Sequence, residues 1–103
     1  MSKSGKQDIK QLRAIGHKLR PVVTVAGKGL SDTVVSEIER ALKDHELIKI
    51  KLAVGDKAAR TAITDELCER TGSKVVQSIG NVIVVLRRTK NPDPGLSNLI
   101  RRL

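Results

Sequence analysis

The chain has 103 residues and a formal net charge of +9, with 20 Lys and Arg against 11 Asp and Glu. This length fits one domain, and because Phe, Tyr and Trp are absent the core must be aliphatic and bases cannot stack on aromatic side chains. The lone Cys68 cannot form an intramolecular disulfide and no hydrophobic run is as long as a membrane span, so we expect a cytoplasmic protein with no membrane partner.

The first predicted element is a basic amphipathic helix between Ser4 and Leu19. Its apolar residues recur at helical spacing, at Ile9, Leu12, Ile15 and Leu19. The basic residues that we expect to face a ligand are Lys10, Arg13, His17, Lys18 and Arg20. Acidic neighbours are nearly absent, Asp8 excepted, which favours a phosphate-facing surface, although Lys18 and Arg20 would also offset the helix dipole.

A strand and a glycine-rich junction follow Pro21, which ends the helix. The β-branched run from Val22 to Val25 predicts a short strand buried on both faces. A second helix is then expected, with Ser31 as its N-cap and Asp32 in its first turn. Its predicted core stripe is Val34, Val35, Ile38, Ala41 and Leu42.

The junction itself has the residue types of a phosphate site. Gly27, Lys28 and Gly29 combine a cation with a backbone that a ligand can approach, at the start of a helix with unpaired NH groups. An ordinary strand-to-helix turn explains these residues at least as well. A nucleotide P-loop is excluded, because Val22 and Gly29 stand where that motif needs Gly and Ser or Thr, and we expect no small-molecule substrate.

The middle of the chain predicts a second strand and a third helix. Residues 47–54 alternate, which sends Lys49 and Lys51 to a wet, basic side and the other face, Ile48, Ile50, Leu52 and Val54, to the core. Asp56 can cap a helix that runs to about Thr71 and ends at Gly72. Its predicted inward residues are Ala59, Ala62, Ile63, Leu67 and Cys68.

Two final strands, over 74–79 and 82–87, are joined by Gly80-Asn81, which suits a two-residue hairpin. The order helix-strand-helix-strand-helix-strand-strand predicts an α/β fold with a mixed four-stranded sheet, in one domain over residues 4–88. Residues 89–103 form a basic C-terminal tail, whose proline- and glycine-containing part from Thr89 to Gly95 breaks regular structure. Residues 96–103 are expected to form a brief basic helix or to stay disordered, and we expect weak order there.

The positive charge is concentrated at the two ends of the chain. Residues 1–28 carry seven basic residues and one acidic residue (+6), residues 29–72 carry seven and nine (−2), and residues 73–103 carry six and one (+5). Such segregation favours a binding face over charge that serves solubility alone. The expected ligand is a polyanion, and nucleic acid is the obvious one.

Catalytic and metal sites are not expected. His17, His45 and Cys68 match neither a metal-ligand spacing nor a cysteine-histidine nucleophile signature. The acidic residues fall on outer helix faces, whereas acid-base chemistry needs paired groups in a cleft. We therefore expect a protein that is not an enzyme, holds no metal or cofactor, and has no need to be more than a monomer.

Four groups of residues occur in a recognisable combination: Leu12-Arg13-Ala14-Ile15-Gly16-His17-Lys18-Leu19-Arg20-Pro21-Val22-Val23, Gly29-Leu30-Ser31, Ala41-Leu42 with His45-Glu46-Leu47-Ile48-Lys49-Ile50-Lys51, and Val76-Gln77 with Ile79-Gly80. Over about residues 9–88 this combination closely resembles the YhbY family of stand-alone CRM domains. The resemblance implies an RNA-binding domain similar to the C-terminal domain of translation initiation factor three. It also implies ribosomal RNA and large-subunit precursors as partners, and a role in ribosome biogenesis.

The same resemblance assigns a role to the glycine-rich junction. CRM domains carry a Gly-x-x-Gly loop likened to the KH loop that clamps backbone nucleotides, and Ala26-Gly27-Lys28-Gly29 corresponds to it. It therefore implies RNA contacts by Gly27, Lys28 and Gly29, which the basic first helix extends. Ala26 replaces the first glycine and would be strained if that position required positive φ.

The complete set of RNA contacts that we expect adds the basic side of the second strand, Lys49 and Lys51, to the junction and the first helix. A different class of function stays open at this point. In that alternative the chain is a protein-interaction adaptor, whose basic face meets acidic proteins while its acidic helices dock elsewhere. Duplex DNA is a weaker candidate, because no recognition helix is evident.

Overall fold

The computed structural model describes residues 8–100, and its elements follow the predicted order. They are α1 (Ile9–Lys18), β1 (Pro21–Val25), α2 (Asp32–His45), β2 (Leu47–Leu52), α3 (Lys57–Thr71), β3 (Lys74–Ile79) and β4 (Val82–Leu86). The strands form one sheet in the order β1-β2-β4-β3, in which β1 is parallel to β2 and the other neighbours are antiparallel. This confirms the predicted α/β class and the mixed four-stranded sheet.

Local capping sets the helix boundaries. Ser31 Oγ accepts a hydrogen bond from the Val34 amide, Asp56 accepts one from the Ala58 amide, and Gly72 ends α3 with a φ of 70°, all as predicted. The predicted start of α1 at Ser4 is wrong, because Asp8 has extended backbone angles and forms a reciprocal capping box with Gln11. The rest of that predicted first turn, residues 4–7, lies outside the described residues.

The main core lies between the sheet and the layer formed by α2 and α3. Its fully buried side chains include Ile38 and Leu42 of α2, Leu67 of α3 and Ile48 and Ile50 of β2. Two predicted core features are wrong. Ala62 is exposed on α3, and β1 is not buried on both faces, because it is an edge strand in which Val22 is 49% exposed.

Helix α1 packs on the opposite face of the sheet and forms a second, smaller core. Its Leu12 contacts Leu47, Val76 and Val84, and all four side chains are buried. The predicted wet side of β2 is therefore only partly correct, since Leu47 lies under α1 while Lys51 is exposed beyond it. We call α1 and the sheet surface on its side the basic face.

Gly16 is the point of closest approach between α1 and the sheet. It is buried, and a Cβ atom at this position would lie 2.9 Å from Cγ1 and 3.1 Å from Cγ2 of Val84. Val84 has a stiff β-branched side chain and is itself buried, so it has little room to yield. A residue without a Cβ is thus required for α1 to lie this close to β4.

Replacing Gly16 with Ala should therefore lower the free energy of unfolding by about 1 kcal/mol, since overpacking costs about 1–3 kcal/mol and better helix propensity returns about 1 kcal/mol. Urea denaturation measures the change. In a Val84→Ala background the clash is gone, and the same substitution should then stabilise the protein. Destabilisation in both backgrounds would show that close packing on Val84 is not the cause.

The C-terminal segment contradicts the prediction of weak order. Over residues 96–100 it forms turns rather than a helix, and Ser97 and Asn98 are buried against the junction of α2 and β2. The Asn98 amide donates to the His45 carbonyl at 2.9 Å, and Asn98 Nδ2 donates to the Leu47 carbonyl at 2.7 Å. The last predicted tail residues, 101–103, lie outside the described residues. Within residues 8–100, no helix has the length and apolarity to cross a membrane.

Candidate nucleic-acid interface

Charge is divided between the two sides of the sheet. The sequences of α1, β1, β2, β3 and β4 contain no Asp or Glu at all. On the other side, α2 carries Asp32, Glu37, Glu39 and Asp44, and α3 carries Asp65, Glu66 and Glu69. The basic face therefore presents cations without acidic side chains from its own elements, which is the electrostatic arrangement that a polyanion needs.

Three of the predicted site residues, Lys10, Arg13 and His17, share one flank of α1 at helical spacing. Arg13 Nε donates to the Val76 carbonyl of β3 at 3.1 Å. This bond anchors the guanidinium at the sheet edge and leaves its terminal nitrogens at the surface. Lys10 and His17 are exposed on either side of it along the helix.

Lys18 and Arg20 lie on the other side of the helix end. Together with Lys49, His45 and Asn98 they line a hollow of about 320 Å³, which we call the edge hollow; its apolar lining is Leu19, Val22 and Ile48. The docked C-terminal segment supplies Asn98, so the packing of this segment helps to shape the predicted binding surface.

Lys49 occupies the centre of the basic face. Its Nζ lies 3.5 Å from the His17 carbonyl, where it complements the negative end of the α1 dipole. Lys51 follows two residues later on the same face and pairs in register with Thr24 of β1; both are exposed. The two lysines thus mark a path from the end of α1 towards the loop after β1.

That loop is a tight turn in which the Gly29 amide donates to the Ala26 carbonyl at 2.9 Å. Positive φ occurs at Gly29, at 84°, and not at Ala26 or Gly27. Alanine in place of the first family glycine is therefore unstrained. Lys28 is exposed, and space around Gly27 is open.

The predicted residues form a band rather than one compact patch. Lys18 and Arg20 precede the start of β1, whereas the Lys28 loop follows its end, and the strand between Pro21 and Val25 spans about 13 Å. Lys49 and Lys51 fill the interval on the neighbouring strand. A band of this shape suits an extended phosphate backbone better than a single phosphate group.

His45 and Cys68, two candidates for a metal or catalytic role, make contacts within the fold. His45 Nδ1 lies 2.8 Å from the Leu96 carbonyl and thus holds the C-terminal segment. Burial raises the pKa of the Cys68 thiol, an effect that the hydrogen bond with Ser73 opposes and Asp65 reinforces, so the thiolate needed for nucleophilic attack is disfavoured. Over residues 8–100, no three His, Cys, Asp or Glu side chains are grouped as metal ligands.

Sequence reasoning missed Gln77, Ile79 and Val82 on the basic face and Asn98 in the edge hollow beside it. Gln77, Ile79 and Val82 line a second hollow on the sheet surface with His17 and Lys49. Their placement depends on an irregular register in β3, between Val75 and Gln77, which sequence alternation does not reveal. Asn98 was missed because it belongs to the segment expected to be weakly ordered.

Comparison with known proteins finds one matching family model and similar proteins whose names describe RNA binding. The family model of the CRS1 / YhbY (CRM) domain matches residues 5–87. A probable RNA-binding protein of Pseudomonas aeruginosa is 50% identical over 92 residues, which cover 89% of this chain and 88% of that protein. An RNA-binding protein of Haemophilus influenzae is 41% identical over 76 residues, 74% of this chain and 77% of the relative.

A solved structure supports the fold. The solution structure of a hypothetical Staphylococcus aureus protein, described there as a candidate RNA binding protein, superposes with a TM-score of 0.73 at 29% identity. The superposition covers 87% of this chain and 93% of that chain.

Proposed function

The chain belongs to the CRS1 / YhbY (CRM) domain family, and we propose that it binds RNA by holding the phosphate backbone along its basic face. The observation that carries this proposal is the complete absence of acidic residues from α1 and all four strands. Phosphates can approach Lys49 and Lys51 over this surface without meeting a like charge from these five elements. The names of the relatives, which are those of RNA-binding proteins, point the same way.

Each part of the band has a distinct role in this proposal. Lys28 and the open backbone of Gly27 and Gly29 receive one phosphate group at the loop. Lys49 and Lys51 hold the backbone across the sheet, and the α1 cations extend the grip at the other end of the band. The protein acts by binding, as a cytoplasmic monomer, without catalysing a reaction.

The affinity for single-stranded RNA is expected to fall with salt. If three or four phosphates are neutralised, log affinity should decrease against log salt with a slope of about −2 to −3. Fluorescence anisotropy with a labelled RNA at several salt concentrations measures this slope. A slope near zero at measurable affinity would contradict phosphate recognition.

Charge reversal at Lys28 tests the loop. Lys28→Glu should weaken RNA binding by at least about tenfold, because a charge-assisted contact is replaced by repulsion. Lys43→Glu is the matched control, since Lys43 is exposed on α2 and the net charge changes equally. Equal losses in both variants would show that only net charge matters and that the loop has no specific role.

The cellular partner that we propose is ribosomal RNA in precursors of the large ribosomal subunit, with a role in their assembly. The support is the family resemblance rather than a feature of the fold. Tagged protein should co-sediment with large-subunit precursors in a cell lysate and be released by ribonuclease. Partners that remain bound after complete RNA digestion would instead favour the protein-interaction adaptor.

A further inference from the structure

An aliphatic hollow opens on the basic face beside the C-terminal end of α1, and we call it the sheet hollow. Its volume is about 360 Å³, which falls within the range of about 300–1,000 Å³ usual for small-molecule sites. Its apolar lining comes from Pro21, Ile79, Val82 and Val84, and its polar lining from His17, Lys49 and Gln77. Among residues 8–100, no carboxylate lines it.

A bulge in β3 creates the outer part of this hollow. The register shifts between Val75 and Gln77, so that Val76 turns under α1 while Gln77 takes the position opposite Val84. Ile79 consequently pairs with Val82 on the side of the sheet where α1 packs, and Ser78 pairs with Ile83 on the side of α2 and α3. A regular strand would have placed Ser78, and not Ile79, on the α1 side.

The result is an isoleucine that is 61% exposed in the middle of a cationic surface. Burial against the protein's own core does not explain this placement, since the bulge directs Ile79 away from α2 and α3. Apolar atoms beside a lysine, a histidine and a side-chain amide match a ligand with a flat, weakly polar body and an attached anion. A nucleotide has this composition.

We infer that the sheet hollow holds one unpaired nucleotide of the bound RNA, an inference that rests on the proposed RNA-binding function. The base packs against the aliphatic side chains of Ile79 and Val82. The Gln77 amide, which can both donate and accept, hydrogen-bonds the base edge. Lys49 and His17 lie beside the phosphate and continue the backbone path towards Lys51.

An unpaired base is the occupant that the surroundings favour over an apolar protein segment. The hollow shares Lys49 with the edge hollow, so it lies on the band of cations and not apart from it. A paired base cannot enter, because both its faces are covered by neighbouring pairs in a helix. The hollow therefore gives the protein a means to prefer single-stranded or bulged RNA.

The test compares Ile79→Ser with the wild-type protein on a single-stranded RNA oligonucleotide and on a blunt RNA duplex of equal length. Affinity for the single strand should fall about fivefold to tenfold, in keeping with the loss of a base contact. The salt slope should stay unchanged, because an apolar contact neutralises no phosphate. Duplex affinity should change by less than about twofold, since a paired base never enters the hollow.

Val75→Ser is the matched control. Val75 lies on the same strand, is 40% exposed and faces the other side of the sheet, so it reports on general damage to β3. Ile79→Val retains an aliphatic surface and should keep most of the single-strand affinity. Far-ultraviolet circular dichroism and thermal melting confirm that each variant is folded.

The two proposals fail in different ways. If wild-type protein binds neither RNA, the proposed function is wrong. If wild-type protein binds both with a normal salt slope but Ile79→Ser binds the single strand equally well, only the sheet hollow is excluded as a nucleotide site. An equal loss with Val75→Ser, or equal losses on duplex and single strand, would also overturn the inference.

Discussion

Replacing both Lys49 and Lys51 with Gln is expected to weaken binding to single-stranded RNA about 100-fold at fixed salt. Each lysine is proposed to make one charge-assisted phosphate contact, and the low end of the range for such contacts, about 1.5 kcal/mol, corresponds to about tenfold each. The log-log salt slope should become shallower by about 1.4, because two fewer phosphates are neutralised. Anisotropy titrations over a salt series give both quantities.

The matched control is the double variant with Lys43→Gln and Lys57→Gln. These lysines are exposed on α2 and α3, and the net charge changes by the same amount. The control should lose less than about threefold, since charges beyond the Debye length of about 8–10 Å are largely screened. If the two double variants behave alike, the basic face has no privileged role in binding.

Lys49 also contacts the end of α1, so the fold of its variant must be checked separately. The contact with the His17 carbonyl is long, at 3.5 Å, and its side chain is partly exposed. A helix-end contact of this kind contributes about 0.3–1 kcal/mol. The variant should therefore stay folded, and hydrogen exchange over α1 reports any fraying directly.

Local chemistry explains why much of the fold could be predicted from the sequence. Ser31, Asp56 and Gly72 cap helices through contacts within a few residues, and the chain order of the elements follows from periodicity. The prediction placed the start of α1 too early, because Asp8 and Gln11 form a capping box that makes the helix begin at Ile9 and not at Ser4. The apolar periodicity itself was correct.

Apart from the start of α1, the features that escaped prediction depend on contacts distant in sequence. The exposure of Val22 follows from the edge position of β1, which only the strand order reveals. Ile79 lies on the α1 side of the sheet because of the register of β3 against β4. The basic residues of the candidate site could be proposed from the sequence because charge is visible there, whereas the hollow between them depends on strand register.

Glu46 makes the clearest contacts with residues distant in sequence, and we expect its substitution to have the largest effect on stability. This residue lies between α2 and β2, is 3% exposed and has a φ of 64°. Its carboxylate accepts hydrogen bonds from the Thr89 amide at 2.7 Å and from Ser97 Oγ at 2.6 Å. Its own carbonyl accepts from the Arg87 amide at 2.8 Å, so this residue holds the C-terminal segment at three points.

Glu46→Ala is expected to lower the free energy of unfolding by about 3–6 kcal/mol, because two bonds to a charged acceptor are lost at about 1.5–3 kcal/mol each. The Ser97 hydroxyl would be left without this acceptor in a fully buried position. Glu46→Gly loses the same bonds but relieves a backbone strain of about 1–3 kcal/mol, and should be the more stable of the two. Urea denaturation should therefore rank wild type above Gly and Gly above Ala.

Truncation after Arg88 removes both partners of the Glu46 carboxylate and keeps the hydrogen bond from the Arg87 amide to the Glu46 carbonyl. It also tests the predicted domain boundary. The truncated chain lacks Thr89 and Ser97, and it should be less stable than the full chain because Glu46 loses both donors while the smaller core loses the packing of Leu99. In this background Glu46→Ala should lower the free energy of unfolding by at least about 2 kcal/mol less than in the full chain, since the side chain's partners are already gone.

An equal loss of stability in both backgrounds would mean that Glu46 acts through its contacts with α2 and β2 and not by holding the C-terminal segment. The coupling matters for binding as well, because Asn98 on that segment forms one wall of the edge hollow with Lys18, Arg20 and Lys49.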